Sequence, residues 1–209
     1  LTCHIQPKDM KDLIISPNCS FEWLIKKIEN EIDFAKKNLP SGIWIKCNAI
    51  VDSKLIEKLY EASNAGVKIN LFVRGICCLK PNVKGLSENI IVKSIIGRFL
   101  EHGRIYVFAN GGEFQSIKND VYISSADMMP RNLYTRVEAY VPLKNETVRS
   151  QILTQVIPAL INDTKNSWLL EQTGEYVKLE DKLNFCSHSY FMENPSLSGQ
   201  GTLSKFKTA

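Results

Sequence analysis

Strand and helix patterns alternate along the first third of the chain, and this alternation limits its fold more than any other feature does. Apolar residues from Phe21 to Ala35 recur at helical spacing, whereas short apolar runs at 12–16, 43–47 and 67–73 are typical of strands. A second amphipathic segment separates the last two runs. Because strand–helix–strand units lay parallel strands side by side, the sequence predicts an α/β fold with a mixed, largely parallel sheet flanked by helices.

The rest of the chain adds strands, one helix and a tail of different composition. Strand patterns recur at four further places: 90–95, 104–109, 121–125 and 134–142. Apolar spacing over 148–160 predicts a last helix, which Pro158 should kink or shorten. After residue 171 the chain turns rich in Ser, Asn, Gly and Lys. We therefore expect three parts: residues 1–11 as a linker or the tail of a preceding domain, 12–170 as the main domain, and 171–209 as an extension that is partly disordered or depends on a partner.

Composition is that of an ordinary globular protein with a mild positive charge. The net charge of +4 is far from the basic footprint of a dedicated nucleic-acid-binding domain, yet it suits a polyanion if it is concentrated in one cleft. No apolar run approaches the roughly 20 residues of a spanning helix, and no signal peptide is recognisable. We expect a cytoplasmic protein without a transmembrane segment, and a peripheral position at the membrane stays open. Since the chain begins with Leu1 rather than Met, we expect it to be a piece of a longer polypeptide.

Basic residues surround one histidine near the middle of the chain. His102 stands between Arg98 and Arg104, and Arg74 directly follows the strand predicted at 67–73. Ligands of open α/β sheets tend to bind beyond the carboxyl ends of strands, where Arg74 would lie. An imidazole with a pKa near 6.5 can exchange a proton with a phosphoryl oxygen while guanidinium groups hold the phosphate. This constellation is typical of a phosphate-binding site.

Ser125 and Arg131 extend the candidate site beyond the next strand. The Ser125 hydroxyl can donate to a phosphate, and Arg131 offers a further guanidinium. Each candidate has a plainer alternative: Arg74 could form a surface salt bridge, His102 could be structural, and Ser125 could belong to a turn at the end of a strand. His4 and His188 lie near the chain ends, which we expect to be frayed, and no role is predicted for them. The six cysteines show no CxxC pair and no metal-ligand spacing with histidine, so no metal site is predicted.

Three segments resemble one family in order and without long gaps. They are A-S-N-A-G-V-K-I-N-L-F-V-R-G-I-C-C-L-K-P at 62–81, R-F-L-E-H-G-R-I-Y-V-F-A-N-G-G at 98–112 and V-Y-I-S-S-A-D-M-M-P-R-N-L-Y-T-R-V-E at 121–138. They are similar to the C-terminal catalytic region of the bacterial polyphosphate kinases. The resemblance covers roughly residues 14–161.

The resemblance implies a fold of the phospholipase D type and a part of the site. It assigns Arg74 and His102 to the phosphates of the nucleotide, and it places the phosphorylated histidine in a preceding domain. It further implies ATP or ADP and inorganic polyphosphate as substrates, the upstream domains and a homo-oligomer as partners, and Mg²⁺ held through ATP and the upstream domain without ligands in this chain. By itself the chain would be inactive or nearly so.

This chain lacks two residues of the motif that is typical of the phospholipase D superfamily. After His102, Arg104 replaces the expected lysine and Ala109 replaces the expected aspartate. Without a carboxylate to orient its ring, His102 suits proton transfer or phosphate contact better than a covalent phosphate. Two alternatives stay open: a phospholipase D-like phosphodiesterase and a polyphosphate-binding module without turnover.

Overall fold

The structure, a computed structural model, describes residues 12–179 and 184–194. Within these residues the chain forms nine strands, which are β1 (Ile14–Ser16), β2 (Gly42–Cys47), β3 (Lys68–Val73), β4 (Ile90–Ile95), β5 (Arg104–Phe108), β6 (Asp120–Ser124), β7 (Glu138–Pro142), β8 (Ser167–Leu170) and β9 (Tyr176–Lys178). Its α-helices are α1 (Ser20–Lys36), α2 (Ser53–Asn64), α3 (Pro130–Tyr134), α4 (Glu146–Gln151), α5 (Ile157–Asn162) and α6 (Ser187–Glu193). None of the helices in the described part is long and apolar enough to cross a membrane.

All nine strands belong to one mixed sheet in the order β1-β7-β6-β5-β2-β3-β4-β8-β9. The mixed sheet with flanking helices confirms the predicted fold class, but the expectation of a largely parallel sheet is wrong. Only β2–β3 and β3–β4 are parallel, and every other pair is antiparallel. A parallel pair needs a long crossover, which α2 supplies between β2 and β3, whereas the connections from β5 to β7 carry no crossover helix of that length.

Helices cover both faces of the sheet and divide the core in two. The first face packs against α1 and α2 and buries apolar side chains that include Leu24, Ile28, Ile45, Leu55 and Leu71. The second face packs against α5 and the π-helical turn that precedes it and buries Trp44, Phe72, Val107, Ile157 and Leu160. Successive residues of a strand point to opposite faces, so β2 and β3 supply both cores. At about 1.5–3 kcal/mol for each fully buried aliphatic side chain, these two layers hold the sheet edge that carries the candidate site.

Two predicted elements differ from the structure in their details. The strand expected at 134–142 begins only at Glu138, because Pro130 starts α3 and Tyr134 ends it. The helix expected at 148–160 is divided by a π-helical turn, Ile152–Val156, just before Pro158. Since proline has no N–H and crowds the preceding turn, this widened turn is a way to keep the helix running past it.

The sheet and the helix layer continue past residue 170. Strand β9 pairs with β8, and α6 packs against α5. Helix α6 is attached to the main domain by Ser187, whose backbone N–H and hydroxyl both donate to Asp163 Oδ2 at 2.7 Å. The division of the chain at residue 171 stays a prediction, and the segments 1–11 and 195–209 lie outside the described residues.

Candidate functional site

The candidate site lies at the sheet edge where β2 and β3 end and β5 begins. Strands β2 and β3 are parallel, so they end at the same edge of the sheet. Lys46, the second-last residue of β2, pairs with Phe72 of β3, and Arg74 directly follows β3. Because β5 is antiparallel to β2, its first residues, Arg104 and Ile105, return to the same edge. Thus the topology brings Arg74 and Arg104 together although the segment between them contains a further strand.

Three cationic side chains hold the backbone around His102. Arg74 Nη1 donates to the carbonyl oxygen of Glu101 at 2.8 Å, Arg104 Nη1 to that of His102 at 2.9 Å, and Lys46 Nζ to that of Gly103 at 3.2 Å. Hydrogen bonds from charged donors contribute about 1.5–3 kcal/mol each, which is enough to order a short connection. The loop 96–103 between β4 and β5 is therefore fixed from three sides.

The imidazole of His102 is left available by this arrangement. Its side chain is exposed and makes no hydrogen bond to the residues that the structure describes. The structure thus presents an exposed imidazole on a loop whose preceding residue, Glu101, is bound by the Arg74 guanidinium. A group in this position can contact an anion arriving from solvent, which a buried structural histidine could not.

Glu101 forms the second layer of the site. Its carboxylate lies 2.7 Å from Lys46 Nζ and 3.1 Å from Nε2 of His188. The Lys46 side chain is only 11% exposed, so its charge is largely compensated by Glu101 rather than offered to solvent. Lys46, Arg74 and Glu101 also line one small cavity beneath the loop.

Arg104 is engaged by Asp127 on the other side of the loop. The guanidinium donates through Nε at 3.2 Å and Nη2 at 2.9 Å, while the backbone N–H of Asn48 donates to the same carboxylate at 2.7 Å. Burial would raise the pKa of Asp127, but the hydrogen bonds from Arg104 and Asn48 outweigh it and hold this pKa below its ordinary value. The geometry of Arg104 is that of a bridge between Asp127 and the His102 carbonyl, and its predicted phosphate contact stays a prediction.

Ser125 and Arg131 are less clearly part of this group. The Ser125 hydroxyl donates to Glu138 on β7 and accepts from the Ala139 N–H at 3.2 Å. Arg131 is exposed on α3, and its side chain contacts none of the other predicted site residues in the described part of the chain. The structure therefore brings Arg74, His102 and Arg104 together, and it places Ser125 and Arg131 nearby without joining them to the cluster.

Three residues of the site were not predicted: Lys46, Glu101 and His188. Lys46 carried a usable signal, since it stands near the carboxyl end of a predicted strand as Arg74 does. Glu101 is adjacent to His102, but nothing in the sequence shows that it faces Lys46. The expectation that His188 lies in a frayed end is wrong, because its side chain is only 2% exposed and contacts the loop. His4 lies outside the described residues.

Fold and site together define an α/β domain with a charged site at the edge where its parallel strands end. Comparison with known proteins narrows this class: the family model described as polyphosphate kinase C-terminal domain 2 matches residues 13–187. The chain belongs to the polyphosphate kinase family, which confirms the resemblance seen in the three motifs.

Individual relatives agree with this assignment. The chain is 50% identical over 202 residues to a polyphosphate kinase of Erythrobacter litoralis, which covers 96% of this chain and 28% of the relative. It is 43% identical over 178 residues to one of Synechocystis, covering 85% and 24%. The crystal structure of the Porphyromonas gingivalis polyphosphate kinase matches with a TM-score of 0.85 at 32% identity, over 91% of this chain and 29% of that one. The chain thus spans between a quarter and three tenths of these relatives.

Proposed function

We propose that this chain is the phosphate-binding C-terminal part of a polyphosphate kinase, which reversibly transfers the terminal phosphate of ATP to inorganic polyphosphate. The transfer passes through a phosphohistidine that we assign to upstream domains, the part of the relatives that this chain does not match. One observation carries the proposal: Arg74 hydrogen-bonds the carbonyl of Glu101, so the proposed phosphate ligands Arg74 and His102 meet at one edge. In the same proposal the protein is cytoplasmic and forms a homo-oligomer.

Arg74 and His102 have distinct roles in this proposal. Arg74 uses Nη1 on the loop, and its other N–H groups have no protein partner among the residues that the structure describes. Those groups can form the paired contacts that a guanidinium makes with phosphate oxygens. His102 can donate a proton to a phosphoryl oxygen or take one from it near neutral pH. Phosphoryl transfer needs mainly positioning and positive charge, and this edge supplies both.

Mg²⁺ does not fit the carboxylates of this edge. Glu101 is paired with Lys46, and Asp127 is paired with Arg104. No group of three or more His, Cys, Asp or Glu side chains within 12–179 and 184–194 is arranged to hold a metal ion. We propose that Mg²⁺ arrives bound to ATP and is held by the upstream domain.

A chimaera tests the proposal. The matched segment of the Erythrobacter litoralis relative is replaced by this chain, and polyphosphate formation from ATP and Mg²⁺ is measured. Arg74→Ala and His102→Ala should each lower kcat by about a hundredfold or more, the effect of removing one donor that stabilises developing charge. Arg149→Ala is the matched control, because it removes the same kind of group from α4, at the other end of β6.

Each outcome separates the candidate functions. Full activity of both site variants in an active chimaera would show that the site is assigned wrongly. Polyphosphate binding without phosphate transfer from ATP would support a binding module. Hydrolysis of a phosphodiester by the 209-residue chain alone would support the phosphodiesterase instead.

A further inference from the structure

His188 is a buried histidine that the proposed phosphate contacts do not use. It belongs to α6, and its imidazole reaches across to the loop 96–103. Its Nδ1 accepts a hydrogen bond from the Phe99 N–H at 3.3 Å, and its Nε2 lies 3.1 Å from Glu101 Oε1. With the lone pair of Nδ1 toward the amide, the neutral ring carries its proton on Nε2, which lies in close contact with the Glu101 carboxylate without forming a well-directed hydrogen bond to it. The ring therefore touches the loop at two places, on either side of Leu100.

Gly97 makes this close approach possible. A Cβ at position 97 would lie 2.4 Å from His188 Nδ1 and 2.8 Å from Cε1, far inside normal contact. Because the ring is buried, it has no free space into which it could withdraw. The loop thus packs closely against the His188 ring at Gly97 as well as at Phe99.

The ring is also rigidly attached to the domain. The preceding residue, Ser187, is fully buried and donates twice to Asp163, which follows α5. Glu101, the residue that His188 contacts, in turn holds Lys46, and its own carbonyl accepts from Arg74. A continuous set of contacts runs from α6 through Glu101 to both the Arg74 guanidinium and the backbone of His102.

We propose that His188 is a positioning residue for the phosphate-binding loop: it fixes Glu101 and Phe99, and through them the place of His102 and Arg74. The proposal rests on the proposed function, because the loop matters only if it binds phosphate. Helix α6 thereby becomes part of the site although it follows His102 by more than eighty residues. A purely structural histidine would contribute to stability and leave phosphate binding of the folded protein unchanged.

The test measures binding of a linear polyphosphate, labelled at one end with a fluorophore, to the 209-residue chain well below its unfolding temperature. His188→Ala should weaken binding about tenfold, because the hydrogen bond to the Phe99 N–H and the close contact with Glu101 no longer hold the loop in its binding position. His188→Gln should restore most of the affinity, because its amide N–H can reach Glu101. Gly97→Ala should weaken binding as His188→Ala does, from the other side of the contact.

Ser187→Ala is the matched control for stability. It removes only the hydroxyl donor to Asp163 and keeps the backbone N–H donor, so α6 stays attached; the variant should lower the unfolding temperature and leave the polyphosphate affinity unchanged. In a Glu101→Gln background, His188→Ala should cost less than it does in the wild type, because the contact between the two residues is already weakened and only the Phe99 hydrogen bond is left to lose. Wild-type affinity in His188→Ala, or an equal loss in Ser187→Ala, would overturn the proposal.

A second measurement tests the positioning role of His188 independently of the proposed function. Hydrogen exchange of the Phe99 amide reports the loop directly and needs no phosphate. His188→Ala should speed this exchange at least tenfold, whereas Ser187→Ala should change it little under native conditions. If Arg74→Ala leaves polyphosphate binding unchanged, the proposed function fails, and the Phe99 amide still decides whether His188 positions the loop. Unchanged exchange in His188→Ala would refute the positioning role.

Discussion

Asp127→Asn removes the charge that holds Arg104 behind the His102 loop. The Asp127 side chain is 6% exposed and that of Arg104 is 18% exposed, so the carboxylate is more completely shielded from solvent than the guanidinium. The carboxylate accepts hydrogen bonds from Arg104 Nε, from Arg104 Nη2 and from the Asn48 N–H. Asparagine keeps one acceptor oxygen and turns an NH₂ group toward a donor. Removing one partner of a buried pair costs about 3–5 kcal/mol, and the partial exposure of Arg104 favours the lower end, about 3 kcal/mol.

The assays are thermal and urea unfolding of the 209-residue chain at several pH values. A loss of about 3 kcal/mol should lower the unfolding temperature by about 6–12 °C for a chain of this length. Because the pKa of Asp127 is lowered in the folded protein, its stabilisation is complete above the unfolded pKa of about 3.9 and is lost as the pH falls through the folded value. The difference between wild type and Asp127→Asn should therefore shrink below about pH 4.

Asp12→Asn is the control, since it removes the same charge from an exposed ion pair with Lys144. Exposed pairs contribute about 0–1 kcal/mol, so this variant should be nearly as stable as the wild type. Equal stabilities of the two variants at neutral pH, or a difference for Asp127→Asn that does not change with pH, would refute the reasoning.

Two further predictions concern buried charges away from the site. Lys93 donates to the carbonyls of Leu160, Ile161 and Asp163, and burial lowers its pKa to about 8. Because the unfolded chain binds more protons between about pH 8 and 10.5, the stability of the wild type relative to Lys93→Met should rise over this range, and urea titrations of both proteins measure it. Glu31 is 1% exposed and accepts from the Gly42 and Asn110 N–H groups. Glu31→Gln sets an NH₂ group against one of these donors and should lower the free energy of unfolding by about 1–3 kcal/mol; a change below 0.5 kcal/mol in urea unfolding, roughly that of a surface substitution, would contradict this.

The sequence predicted those parts of the fold that local patterns determine. Strands β2 and β3 and helix α2 follow from apolar periodicity and from Asp52, which caps α2 by accepting from the Leu55 N–H. The same patterns do not state which strands become neighbours. Strand β1 precedes α1 and β2 along the chain, yet it pairs with β7 at the far edge of the sheet. A helix between two strands therefore does not make them neighbours, and β3 and β4 are parallel neighbours although the described residues between them form no helix.

Of the site, Arg74 and His102 could be placed because each has a local signal, a strand end for one and flanking arginines for the other. The partners of these residues could not, since each belongs to a distant segment. Asp127 reaches Arg104 from beyond β6, and His188 reaches Glu101 from α6. Such contacts depend on the sheet order and on the packing of α6, which a single sequence does not reveal.

Most of the positive charge at this edge stabilises the loop rather than facing solvent. Lys46 and Arg104 are each balanced by a carboxylate, so of the three cations that bind the loop carbonyls only Arg74 lacks an acidic partner in the described part of the chain. The free charge at the loop is therefore that of Arg74 and of the exposed Arg98, in the same loop as His102. A few such groups can hold one phosphate but cannot neutralise a triphosphate or a polymer. This shortage of charge is why the chain alone should bind polyphosphate weakly, and why the remaining cations of a complete site are expected on the domains that the longer relatives carry.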